Sequence, residues 1–144
     1  MGRVLAVDYG ERRVGIALSD PTATIAQPLT VITRRAGKRP PVQAIADLAA
    51  EHEVTHIVVG LPLTLAGTDS DWTQEVREFG RKLGERAGVG VTFADERMTS
   101  VVAERAVRSL GLKRKERERK ERVDSAAAML ILQAYLNQTK SDAS

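Results

Sequence analysis

The sequence predicts an α/β domain built on a five-stranded mixed sheet, with an opening three-stranded meander followed by helices and strands in alternation. Three observations predict it. Residues 3–34 hold three apolar, strand-like runs joined by short turns. Residues 41–96 alternate helix-periodic segments with the continuous apolar runs of buried strands. The resulting order, βββαβαβα, requires a sheet flanked by helices. The 144 residues fit one such domain, residues 1–138, with a flexible tail over 139–144.

Each element follows from its residues. Runs 3–8 and 13–19 are separated by YGERR, where Gly10 and the charges supply a turn. Small residues intrude in Val14, Gly15, Ile16, Ala17 and Leu18, which predicts close packing or close approach of a ligand. Ser19, Asp20 and Pro21 break that run, and Pro28 marks the third run, IAQPLTVITR, as an edge strand. Pro40 and Pro41 open a helix whose apolar face is Ala44, Ile45, Leu48 and Ala49. HIVVGLP, stopped by Gly60 and Pro62, reads as a buried central strand. After the polar loop LTLAGTDSD, Ser70 or Asp71 caps a helix running to about Arg86, with Trp72 as its anchor. VGVTFADE is the fifth strand. SVVAERAVRSLG is helical, and VDSAAAMLILQAYL forms the last helix.

Composition narrows the chemistry. The chain has no cysteine, which excludes disulfides, thiolate zinc sites, iron–sulfur clusters and a cysteine nucleophile. No apolar run reaches the ~18 residues of a membrane span, and the N-terminal run is too short for a signal-peptide core. The expectation is a soluble cytoplasmic protein without membrane contact. Net charge is only +3, but it is unevenly placed. Residues 113–122, KRKERERKER, hold seven basic and three acidic side chains, and RRAGKR at 34–39 holds four basic and none acidic. Such clustering favours a polyanionic partner, nucleic acid above all. The plainer reading of the mixed-sign run is a solvated face.

Three acidic positions stand where burial is expected. Asp8 ends the first strand, a place where an unmatched carboxylate is expensive. Asp95 and Glu96 end the fifth. Asp124 opens the last helix, with Ala127, Ala128, Ile131 and Tyr135 at i+3, i+4, i+7 and i+11, so it lies on or beside the apolar face. Taken singly, Asp124 is an acid favoured by a helix N-terminus, and Asp95 or Glu96 pairs with Arg97. Taken together, converging carboxylates repel unless a cation fills the gap, and hard oxygen donors select Mg²⁺ or Mn²⁺. Two such ions, ~3.5 to 4 Å apart, activate water and stabilise the leaving oxygen in phosphodiester cleavage. Adjacent residues on a regular strand face opposite sides, so only one of Asp95 and Glu96 reaches such a site.

The motifs AVDYGERRVGIALSD, HIVVGLPLTLAGT, FADERMTS and KERVDSAAAMLILQAYL, in that order from Val4 to about Leu136, resemble the YqgF or RuvX family of the RNase H-like superfamily, which includes Holliday junction resolvases. The resemblance implies an RNase H-like fold with catalytic, metal-binding acids at Asp8, Glu96 and Asp124. It also implies a divalent-metal nuclease for the 5′ end of pre-16S ribosomal RNA or for four-way DNA junctions. Lys120 matches a basic position of the family pattern. Substrate contacts are expected from Gly10, Gly15, Arg97, Lys113, Arg114, Lys115, Lys120 and Arg122. Symmetric cutting of a junction needs two sites and hence a homodimer, whereas a processing nuclease acts alone. Two other classes stay open: an actin- or sugar-kinase-type ATP-binding lobe, which one 144-residue lobe fits poorly, and a non-catalytic ribosome-assembly factor that binds nucleic acid.

Overall fold

A computed structural model describes residues 2–34, 39–99 and 126–139. It contains β1 (Arg3–Tyr9), β2 (Arg13–Ser19), β3 (Ala26–Thr33), α1 (Val42–Glu51), β4 (Val54–Leu61), α2 (Asp71–Ala87) and β5 (Gly90–Asp95), followed by a 3-10 turn at Glu96–Met98. A last helix, α3, covers residues 126–139. The helix expected over 100–111, the basic run and Asp124 lie outside the described residues.

The sheet order is β3-β2-β1-β4-β5. The meander is antiparallel, whereas β1, β4 and β5 run parallel, so these three strands end at one edge. Pro28 sits in β3 at the outer edge, where a missing N–H costs the sheet little.

Alternation along each strand sorts the core into two layers. Leu5, Val7, Tyr9, Val14, Ile16, Ile57, Val59 and Leu61 pack under α1 and α2. Val4, Ala6, Ala17 and Val58 face the other way, against Ala127, Ala128, Ile131, Leu132 and Leu136 of α3. The alanines on both sides let α3 lie close to the sheet. Ile131 meets Gly60 near the end of β4, while Tyr135 stacks on His56 near its start, with ring centroids 5.8 Å apart. α3 therefore runs antiparallel to β4 and begins at the edge where the parallel strands end.

Three sequence expectations need correction. Ala44 is exposed, and Ala46 takes its place on the buried face of α1 beside Ile45 and Ala49. Glu96 is not on β5: the strand stops at Asp95, which caps the 3-10 turn. β1 runs one residue past Asp8, to Tyr9, which the sequence assigns to the following turn. Among the described residues no helix is long and apolar enough to cross a membrane.

Candidate active site

Two of the three expected acids are described, and both are buried: Asp8 and Glu96 are each 4 % exposed. Asp8 follows Val4 and Ala6 on the α3 face of β1. Its register partner across β2 is Gly15, which shares that face and presents no side chain beside the carboxylate. On the other flank Val7 pairs with Val59, so Asp8 stands beside Gly60 of β4. Asp8 thus lies between two glycines.

Gly60 explains how Glu96 reaches the same face. A Cβ built on Gly60 would lie 2.8 Å from Glu96 Oε1, 3.3 Å from Glu96 Cγ and 2.6 Å from Ile131 Cδ1. The Glu96 side chain therefore crosses β4 in space that any larger residue would fill. Its carboxylate ends over Gly60, the β4 residue that stands beside Asp8. The sequence shows Gly60 only as a strand stop; the signal it holds is a glycine interrupting a run of β-branched residues, which marks close approach.

Asp95 takes the opposite role. Its Oδ2 accepts from Arg97 Nη2 at 2.7 Å, and its Oδ1 accepts from the Arg97 backbone N–H at 2.9 Å. The Arg97 side chain, through these hydrogen bonds, holds the Asp95 carboxyl below the usual range. Arg97 also donates from Nη1 to the Leu65 carbonyl at 3.2 Å. Ala94 lies on the α3 face of β5 and Phe93 on the α2 face, so alternation turns Asp95 away from Gly60 and Glu96 toward it, and Asp95 pairs with Arg97.

Gly10 closes the β1–β2 hairpin, its N–H donating to the Arg13 carbonyl at 2.9 Å. From the far face the hairpin is pinned by aromatic stacking that sequence reasoning missed. Tyr9 stacks on Phe79 with centroids 4.0 Å apart and on Trp72 at 5.4 Å, and the Arg34 guanidinium lies 4.7 Å over the Tyr9 ring. The residue after Asp8 is thereby fixed to α2. Trp72 anchors α2 as expected, and Ser70 is its N-cap, in a capping box with Thr73. Thr64 and Thr68 close their loop on each other, with hydroxyl oxygens 2.7 Å apart.

Of the two histidines, His52 caps α1. His56 is half-buried, bonded through Nε2 to the Thr92 hydroxyl at 2.7 Å, and its pKa is lowered by burial. Asp124, Lys113, Arg114, Lys115, Lys120 and Arg122 lie outside the described residues. Among the described residues no three acids, histidines or cysteines form a metal-sized group. The described pair supplies buried, hard oxygen donors on one face, the donor type that suits Mg²⁺ or Mn²⁺.

A family model described as "RuvX: Holliday junction resolvase" matches residues 2–138. A relative from Roseiflexus sp. (strain RS-1), named "Putative pre-16S rRNA nuclease", is 43% identical over 136 residues, covering 94% of each chain. A relative of the same name from Koribacter versatilis is 43% identical over 141 residues, 98% of this chain and 90% of its own. A solved structure of T. thermophilus RuvC in complex with Holliday junction substrate superposes with a TM-score of 0.58 at 12% identity, covering 97% of both chains. At that identity the likeness carries the RNase H-like fold alone. The family match spans the hairpin of Asp8, the strand of Gly60 and the turn of Glu96, and the chain belongs to the RuvX family.

Proposed function

We propose that the chain is a divalent-metal nuclease that hydrolyses phosphodiester bonds of structured RNA in the 5′-end maturation of pre-16S rRNA. The observation that carries this reading is the placement of Asp8 and Glu96. They are two buried carboxylates on one face, on either side of a glycine, where three parallel strands end. Open α/β sheets bind their ligands at that edge. The name shared by the relatives supplies the substrate class.

Asp124 is the third acid of the proposal. In sequence it stands two residues before the described part of α3, whose N-terminal end lies at the same edge, and three carboxylates suit a pair of Mg²⁺ or Mn²⁺ ions. When bound, the ions supply an activated water and stabilise the leaving oxygen. The protein's own residues set the geometry. Gly15 and Gly60 leave Asp8 uncovered by side chains from the adjacent strands. Ile131 and the aliphatic layer beside it exclude bulk water from one side of the acids. Lys113, Arg114, Lys115, Lys120 and Arg122 hold the phosphate backbone, with Gly10 letting the hairpin approach it. A nuclease acting on ribosomal RNA precursors works in the cytoplasm.

A second reading, resolution of four-way DNA junctions, is favoured by the family description and by the shared fold of a junction-bound RuvC. It requires a homodimer that presents two sites. The test compares cleavage of a pre-16S precursor fragment, a four-way junction and the junction's linear arms with Mg²⁺ or Mn²⁺, alongside the mass in solution. Selective cleavage of the RNA supports the proposal. Paired cuts in the junction by a dimer support the second reading, and binding without cleavage of any substrate leaves an assembly factor.

A further inference from the structure

The loop of residues 62–69 leaves β4 at the edge where Asp8 and Glu96 lie, and it is tied to the Glu96 turn by one side chain. Arg97 donates to Asp95 from Nε and Nη2 and to the Leu65 carbonyl from Nη1. Gly67 is shaped for this contact in two ways. Its φ of +82° is left-handed, and a Cβ there would lie 3.1 and 3.2 Å from Arg97 Nη1 and Nη2. The loop closes on itself through the Gly67 N–H to the Thr64 carbonyl and the Thr64 N–H to the Thr68 carbonyl, at 2.8 and 2.9 Å. It joins α2 through the Thr73 hydroxyl, which donates to the Pro62 carbonyl at 2.6 Å.

We infer that Arg97 is a positioning residue whose planar guanidinium locks the 62–69 loop to the turn presenting Glu96, so that loop and carboxylate meet the substrate as one unit. The charge alone does not suffice. A lysine ammonium is a point donor and cannot span a carboxylate and a carbonyl in this fork geometry. The inference rests on Glu96 belonging to the nuclease site.

The test has two independent readouts on Arg97→Lys, Arg97→Gln, Asp95→Asn and the Asp95→Asn/Arg97→Gln pair. Amide hydrogen exchange over residues 62–69 is expected to accelerate about tenfold in every variant, as loss of a charge-assisted clamp requires. Cleavage of the RNA precursor fragment is expected to lose kcat with KM and its salt dependence unchanged. The double variant is expected to be no worse than Arg97→Gln, because the pair acts as a unit.

Unchanged exchange in Arg97→Gln overturns the latch. So does a variant set in which Arg97→Lys keeps full activity while Arg97→Gln raises KM and flattens the salt dependence, which is the behaviour of a phosphate contact. If the wild-type protein cleaves nothing, the nuclease reading fails, and exchange alone still decides whether Arg97 holds the loop.

Discussion

Replacing Gly60 with alanine tests the geometry of the acid pair with a single carbon atom. The added Cβ would stand 2.6 Å from Ile131 Cδ1 and 2.8 Å from Glu96 Oε1. Carbon atoms pack at about 3.5 to 4.0 Å, so Ile131 must retreat by about 1 Å and the carboxylate by about half that. Overpacking of this size costs about 1 to 3 kcal/mol. At roughly 4 °C per kcal/mol for a chain of this length, the melting temperature falls by about 4 to 12 °C. A catalytic group displaced by ~1 Å can lose about 100-fold in rate, so kcat at a temperature well below melting is expected to drop by about 10- to 100-fold. The assay is single-turnover cleavage of the precursor fragment, with circular dichroism confirming the fold. Ile131→Val, which removes Cδ1, separates the two clashes. In the double variant, stability returns toward that of Ile131→Val alone while the rate stays low, because Glu96 is still displaced. Wild-type kcat in Gly60→Ala would refute the reasoning, and so would full recovery of rate on adding Ile131→Val.

Neutralising Lys113, Arg114 and Lys115 together removes three proposed phosphate contacts and is expected to flatten the slope of log K against log salt by about 2 to 3; an unchanged slope returns that run to a solvated face. His56, half-buried against Thr92 and Tyr135, has its folded pKa lowered by desolvation. Its contribution to stability is therefore complete above the unfolded value of about 6.5 and is lost as pH falls through the lower folded value. Urea midpoints measured from pH 7 downward should show that acid-side loss shrink in His56→Gln, and an NMR titration placing His56 above 6.5 would contradict it. Ser70→Ala breaks the capping box in which Ser70 Oγ accepts from the Thr73 N–H at 3.1 Å, and is expected to cost about 1 kcal/mol in denaturant unfolding.

The sheet was legible because its signals are local. Apolar runs, Pro28 on an edge and a serine cap at the start of α2 each report on their own few residues. The apolar face of α1 was misread at one residue, two positions away from the one that is buried, because Ala44 and Ala46 carry the same small side chain and periodicity separates them poorly. The acids at 8 and 96 were legible as charges in apolar places, and the family resemblance implied one site for them, but the path that brings Glu96 beside β1 was not legible. It depends on the parallel pairing of β1 with β4 and on the missing side chain at Gly60. The division of labour between Asp95 and Glu96 follows the alternation of β5 once Ala94 is seen to face α3, and which face that is depends on the packed helices, not on the strand's own residues. Tyr9 reads as the first residue of the YGERR turn until α2 is packed against it. Its stacking partners Trp72 and Phe79 lie more than sixty residues away in sequence, beyond the reach of any local pattern.

The most direct test of the central claim is metal-dependent cleavage of a pre-16S precursor fragment by the wild-type protein and by Asp8→Asn, Glu96→Gln and Asp124→Asn, each confirmed as folded. The account predicts cleavage by the wild type with Mg²⁺ or Mn²⁺, none with chelator, and a loss of at least about 100-fold in every variant. Undiminished cleavage in chelator, or wild-type cleavage by any one of the three variants, would contradict it.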